Sequence, residues 1–337
     1  MASVLPAVKL NAYSRADMVP FSIPGRFYRG NLHTHSTLSD GGLAPDAVAL
    51  AYQRAGYDFY ALTDHFMARY HWPVADTRGQ RTNAFTTLIG AELHSGATGA
   101  GDPWHILAVG LPLDFAPAGV DESGPALAAR AKSAGAFVAI AHPAWSQLTI
   151  DDGRALAASA DAVEIYNHGS AVENDRGDGL YLLDQLLSEG HRLTAIATDD
   201  AHFRTGDSDA FGGFVMVKAE SPTPEALLAA LKAGHFYASQ GPRIEDVRVL
   251  DGELRIRCTP VQSITALGGA CRTATQLGRA IIEAAFPLER IREVAGARGW
   301  SRIAVIDADG RRAWTNPLWL EREALSSAPP GASRRGG

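Results

Sequence analysis

Asn31-Leu32-His33-Thr34-His35-Ser36-Thr37-Leu38-Ser39-Asp40-Gly41 decides how the rest of this chain is read. It continues an extended run, Phe27-Tyr28-Arg29-Gly30. Residues two apart on a strand point to the same side. His33 and His35 therefore present two imidazoles to one point, and Asp40 follows in the loop beyond. The pattern recurs along the chain, as apolar runs that deliver a polar side chain. Residues 58–63 lead to Asp64-His65, 87–91 lead to Glu92, and 105–110 carry His105. Residues 136–141 lead to His142-Pro143, 162–166 carry Glu164, and 193–198 lead to Asp199-Asp200-Ala201-His202.

These runs, with 26–32 and 213–217, read as buried strands. Amphipathic stretches at 45–55, 124–134, 171–188 and 223–233 read as helices, and Gly135, Gly190 and Gly234 follow three of them as C-terminal caps do. Alternating strand and helix favours a parallel sheet, and about seven or eight such units suit a closed barrel. In a parallel barrel the C-terminal strand ends share one face, where active sites lie. After Gly241-Pro242-Arg243 the texture changes. Residues 244–250 and 254–258 flank Asp251-Gly252-Glu253, a strong hairpin signal. Residues 300–306 and 311–318 flank a second turn. The expected organisation is an α/β barrel over 1–243, a small β-rich domain over 244–322 and a disordered tail over 323–337.

Composition sets the outer limits. The chain has 337 residues, 46% hydrophobic and 20% charged, and a net charge of −6, which is not the basic balance of a nucleic-acid binder. No run approaches the roughly 18 apolar residues of a membrane span, and no secretory segment opens the chain. A cytoplasmic protein is expected, acting on a small molecule without nucleic acid or membrane; a homo-oligomer is compatible with this. The two cysteines, Cys258 and Cys271, lie far from the histidine motifs and are expected to be thiols rather than a disulfide.

The strand-end ligands are imidazole and carboxylate, with no thiolate. That chemistry suits Zn, Mn or Fe and differs from a structural cysteine site. His33, His35, His65, His105, His142 and His202, with Asp40, Glu92 and Asp200, exceed what one ion needs. Two or three divalent ions are implied, with Glu92 as a bridging carboxylate.

His-x-His with a downstream acid, Thr-Asp-His, the strand-end Glu, the strand His, Ala-His-Pro and Asp-x-His together resemble the PHP family, the polymerase and histidinol phosphatase domains. The resemblance spans about residues 25–240. It implies a distorted (βα)7 TIM-like barrel with a metal cluster at its C-terminal face. It places His33, His35, Glu92 and Asp200 on one ion, and Glu92, His105 and His142 on another. Asp40, His65 and His202 would hold a third, with Asp40 standing where many members carry His. The ending Phe236-Tyr237-Ala238-Ser239-Gln240-Gly241-Pro242, with the β-rich segment, resembles the subgroup that includes carbaryl hydrolases.

The activity expected is hydrolysis by a hydroxide bridging two ions, acting on phosphate mono- or diesters. The alternative is cleavage of carbamate, ester or amide bonds in small apolar compounds, and another class of reading is a non-catalytic metal-binding module. His65 and His168 are candidate proton donors, and Arg204 is a candidate anion-binding group beside Arg69, Arg78 and Arg81. Asp64 and Asp199 are expected to orient imidazoles, while Glu164 is open between a histidine partner and a structural role. His94 is read as a supporting or solvated residue. Phe66, Tyr70, Trp72, Trp104 and Trp145 are candidates to line an apolar pocket.

Overall fold

The computed structural model describes residues 20–320 apart from 205 and 207; the tail expected over 323–337 lies outside the described residues. The first part runs β1 (Arg26–Asn31), α1 (Pro45–Arg54), β2 (Phe59–Leu62), β3 (His65–Phe66), β4 (Thr86–Leu93) and β5 (Ile106–Val109). It continues α2 (Gly124–Ser133), β6 (Phe137–Ile140), α3 (Ile150–Ala157), β7 (Ala162–Asn167), α4 (His168–Asn174), α5 (Leu180–Ser188), β8 (Thr194–Thr198), β9 (Phe214–Ala219), α6 (Pro224–Lys232) and β10 (Phe236–Ser239). β2, β5 and β6 are buried at every residue, as strands covered on both faces must be. Helix starts follow local chemistry: the Ser123 hydroxyl accepts from Ala126 N at α2, and Thr149 and Asp152 form a reciprocal capping box at α3.

The helix expected over 171–188 is two helices, α4 and α5. Asp175 turns left-handed at φ 59°, and the chain then presses against β7. A Cβ at Gly179 would stand 2.1 Å from the Glu164 carbonyl oxygen, so that approach requires glycine.

The protein is a mixed α/β fold built on one large sheet, in which β1, β2, β4, β5, β6, β7 and β8 are neighbours in that order. The expected closed parallel (βα)7 barrel is corrected on two points. β5 runs antiparallel to both β4 and β6. The ladder also does not close. Antiparallel β9 takes the free edge of β1 from Arg26↔Ala219 to Gly30↔Val215, which leaves β8 no edge of β1 to pair with. β8 meets β1 only past both strand ends, through a bridge between Thr34 and Ala201. There His35 N donates to Ala201 O and Asp200 N donates to His33 O, each at 2.9 Å.

The C-terminal part comprises β11 (Ile244–Leu250), β12 (Glu253–Gly268), β13 (Ala274–Pro287), α7 (Leu288–Ala295), β14 (Trp300–Ile306), β15 (Arg312–Thr315) and β16 (Leu318–Trp319). Asp251 and Gly252 hold φ of 52° and 79° between β11 and β12, the paired positive values of a type I′ hairpin. The sheet does not break at the boundary expected near 243. β10 pairs with β9 on one side and with β15 on the other, Tyr237↔Thr315 to Ser239↔Ala313. Trp300 and Trp314 share a buried cluster with Leu183, Leu186 and Ala238. Cys258 is buried, Cys271 is exposed, and both are free thiols. Among the described residues no helix is long and apolar enough to cross a membrane.

Candidate metal centre

Six strands deliver side chains to one place. His33 and His35 leave the end of β1, with both side chains fully buried. β3 pairs parallel to the end of β4, setting His65 beside Glu92. His142 follows β6, and Asp200 and His202 follow β8. His105 arrives because β5 is reversed: Ile106 pairs with Leu93 at the end of β4 and with Ile140 at the end of β6. The start of β5 therefore lies level with the ends of its neighbours.

Glu92 is the hub. Its Oε1 lies 2.6 Å from His105 Nδ1 and 3.0 Å from His142 Nε2. Its Oε2 lies 2.6 Å from His65 Nδ1 and 3.7 Å from both His33 Nε2 and His35 Nε2. Asp200 Oδ1 lies 3.1 Å from His33 Nε2 and 2.9 Å from His35 Nε2. Asp40 Oδ1 lies 3.4 Å from both His65 Nε2 and His202 Nε2. The structure thus brings together all nine residues proposed as ligands from sequence. Four subsets have donor atoms within 4.8 Å of one another: His35-Asp40-His65-His202, His65-Glu92-His94-His105, His33-His35-Glu92 and His33-His142-Asp200.

Burial alone would raise the pKa of Glu92, yet His105, His65 and His94 hold it well below the carboxylate range. Asp200 is held down in the same way by His33 and His35. Burial disfavours charge on His33, but Asp200 and Glu164 outweigh it and raise its pKa. Burial also opposes charge on His65, and Glu92 and Asp40 lift it to about 10. His35 is driven down to about 3 by burial and by its neighbours His65 and His202, and burial brings His105 to about 4. The carboxylates thus demand positive charge within the cluster, which protons or cations can supply.

A divalent ion fits this donor set. His33 Nε2, His35 Nδ1, Glu92 Oε2 and His94 Nδ1 are buried polar atoms without a hydrogen-bond partner. Such orphans are costly in a protein interior unless another group satisfies them. The donors are imidazole nitrogens and carboxylate oxygens, the set that suits Zn, Mn or Fe.

Glu164 is the main support, and the sequence left its role open. Its Oε1 accepts from His33 Nδ1 at 3.0 Å and from the Thr198 hydroxyl, and its Oε2 accepts from His142 N at 2.5 Å. Asn167 Nδ2 donates at 3.0 Å to both Glu164 Oε2 and Asp200 Oδ2. A ring nitrogen committed to an outer carboxylate leaves the other nitrogen facing the centre. The acids expected to orient imidazoles bind elsewhere. Asp64 accepts from Ser36 N at 2.7 Å and from the Ser39 hydroxyl at 2.6 Å, which fixes the loop that carries Asp40. Asp199 accepts from Tyr52 Oη at 2.8 Å and from Gly212 N and Gly213 N at 2.9 Å. His94, expected to be a supporting or solvated residue, is buried and has its Nε2 2.8 Å from His65 Nδ1. Its signal was present: it stands two residues past Glu92, the same spacing as His33 and His35.

The cluster opens into a cleft of about 390 Å³ lined by Asp40, His65, His94, His105, His142, Asp200 and His202. Met67, Arg69, Pro103, Trp145, Glu173 and Arg204 complete the wall. The Arg204 guanidinium is engaged with Asp40, through Nε to the backbone oxygen at 2.7 Å and through Nη2 to the carboxylate. Arg78 pairs with Asp76 at 2.7 Å, and Arg81 bonds Thr87, so neither is aimed at the cleft. His168 also faces away. Its Nδ1 lies 2.9 Å from Tyr166 Oη, and its ring packs where a Cβ on Gly212 would stand, 2.2 Å away. The chain turns into α4 at this point, which presents Gly169, Ser170 and Glu173 to the cleft instead. Of the loop aromatics, Trp145 is 41% exposed and sits against His105 and His142, with ring centroids 5.2 and 5.0 Å apart. Phe66 and Trp104 are buried in the core.

No family model matches the chain, and no curated protein matches it. Among solved structures, it is similar to a two-domain protein from Bacteroides vulgatus containing a predicted PHP-like metal-dependent phosphoesterase. That match has 16% identity and a TM-score of 0.50, and covers 88% of this chain and 98% of that one. An amidohydrolase from Chromobacterium violaceum matches at 16% identity and TM-score 0.36, over 51% of this chain and 87% of that one. PsfC from Pseudomonas syringae matches at 19% identity and TM-score 0.37, over 58% and 83%. At 16% identity the likeness to the Bacteroides vulgatus structure is one of fold.

Proposed function

We propose that this chain is a metal-dependent hydrolase of the PHP type and that it cleaves phosphate esters. One observation carries the reading: nine imidazole and carboxylate side chains form overlapping groups around Glu92, Asp200 and Asp40, with buried donor atoms left unpaired. The Bacteroides vulgatus structure, whose name specifies a PHP-like metal-dependent phosphoesterase, agrees with it in fold over most of both chains.

His33, His35, Glu92 and Asp200 would hold one ion, and Glu92, His105 and His142 another. Asp40, His65 and His202 offer a third set. Divalent ions in such a site polarise the ester oxygen and lower the pKa of water from 15.7 to about 7. The remaining work falls to the chain. Glu164 sets the tautomer of His33, and Asn167 holds Glu164 and Asp200 in register. His202 Nδ1 donates to the Asp200 carbonyl at 2.9 Å, which turns its Nε2 toward Asp40. Arg69 and Arg204 stand on the cleft wall, where a phosphoryl dianion would find positive charge. His65 remains the candidate proton donor on the cleft, and Glu173 is a further carboxyl on its wall.

His33→Ala and Asp200→Ala are each expected to lose bound metal and turnover together, measured by metal analysis and by hydrolysis of p-nitrophenyl phosphate and its diester. Full turnover by either variant without metal would sink the reading. Cleavage of aryl carbamates or carboxylic esters is a second reading, favoured by the half-exposed Trp145 beside Met67 and Pro103 on the wall. A naphthyl carbamate turned over while both phosphate esters stay intact would install it instead.

A further inference from the structure

We propose that His94 is itself a metal ligand in this chain, completing with His65, Glu92 and His105 a site for a divalent ion of the zinc type. The inference rests on the metal-centre reading above and not on which bond is cut. Nothing in the family resemblance assigns a role to this position, where the second ion falls to Glu92, His105 and His142.

The geometry is specific. β4 carries Glu92 near its end, and His94 follows on the same side two residues later. His94 Nε2 lies 2.8 Å from His65 Nδ1 and 3.5 Å from Glu92 Oε2. Its ring stands edge-on to His105, with centroids 4.2 Å apart. The four donor atoms lie within 4.8 Å of one another. Three imidazoles and one carboxylate are a donor set that zinc accepts.

The bland alternative is a packed histidine bonded to its neighbour, and it fits poorly. The His94 side chain is 3% exposed and its Nδ1 has no hydrogen-bond partner. Its Nε2 faces a nitrogen rather than an oxygen. Two imidazole nitrogens 2.8 Å apart hold at most one proton between them, whereas a cation placed among the four donors would take up both lone pairs. His65 occupies the seam of two groups, with Nδ1 toward Glu92 and His94 and Nε2 toward Asp40 at 3.4 Å.

The test uses the full chain, stripped by chelator and titrated with zinc alone, then loaded with cobalt(II) as a spectroscopic probe. His94→Ala and His94→Gln are compared with wild type and with His191→Ala, a histidine outside the cluster. Melting curves confirm that each variant is folded, and the Gln variant serves if Ala does not fold. One zinc equivalent is expected to weaken by about 100-fold or more in the His94 variants, and the cobalt ligand-field bands are expected to change. Outer groups that only orient a ligand cost about 10–100-fold. Wild-type affinity in the variants, or weaker affinity with an unchanged cobalt spectrum, overturns the assignment. Wild-type protein that takes up no zinc or cobalt fails the metal-centre reading instead, which separates the two outcomes.

Discussion

Glu164 shows what a single side chain decides here. Both its oxygens accept hydrogen bonds, from His33 and Thr198 on one side and from His142 N and Asn167 on the other. A glutamine keeps only one acceptor oxygen, so one pair of donors would face an NH2 group. Glu164→Gln is expected to lower metal affinity and kcat by about 10–100-fold with KM nearly unchanged. Titration with zinc and steady-state kinetics check this, and wild-type affinity would remove Glu164 from its role. The ligands themselves were legible because each stands at the end of an apolar run, where an unpaired polar group needs a reason. Glu164 was less legible because it lies inside β7, where a register shift after it turns the strand. His94 stands two residues past Glu92, and that spacing alone does not separate a supporting histidine from a ligand. Asp64 and Asp199 were misread because adjacency in sequence to a ligand does not make contact with its ring: successive residues on an extended chain point to opposite faces.

At α3 a cap does more than start a helix. Asp152 is buried and accepts from Thr149 N at 2.9 Å, from the Thr149 hydroxyl at 2.7 Å and from Gly99 N at 2.8 Å. Burial would raise its pKa, but these donors hold it below the usual value. An acid with a depressed folded pKa adds stability above its unfolded pKa, about 3.9, and loses it as pH falls through the folded value. Asp152→Asn is therefore expected to cost about 1–2 kcal/mol at pH 7, with the difference from wild type shrinking below about pH 4. Urea denaturation at both pH values reads it, and a gap that stays constant would show that charge is not involved. The direction of β5 was not legible: Ile106–Val109 is a four-residue apolar run, and such a run reads the same both ways. The missed α3 is only eight residues long, too short for its periodicity to stand out.

Across the whole molecule, strand pairing runs on past the boundary expected near residue 243 from the change in texture. β15 covers the edge of β10, and Arg302 binds Asp184 of α5 at 2.8 Å. Trp314 is 2% exposed and lies in one cluster with Leu183 and Ala238. Trp314→Ala is expected to cost about 3–5 kcal/mol. Both parts should still unfold in one calorimetric transition, and two separated transitions would show that the C-terminal strands melt on their own. The reversed β5 has a last consequence for the molecule. The connector from β4 to β5 never descends to the far side of the sheet, as a parallel crossover must. It stays at the rim as a short flap with Glu92 and His105 at its two feet, and Pro103 on the cleft. Gly99 on this flap is tethered to Asp152, the same carboxylate that begins α3. Lengthening or trimming the flap around Gly99–Gly101 would remodel the doorway while every strand ladder below it stays in place, so access to the cluster is set separately from the floor that builds it.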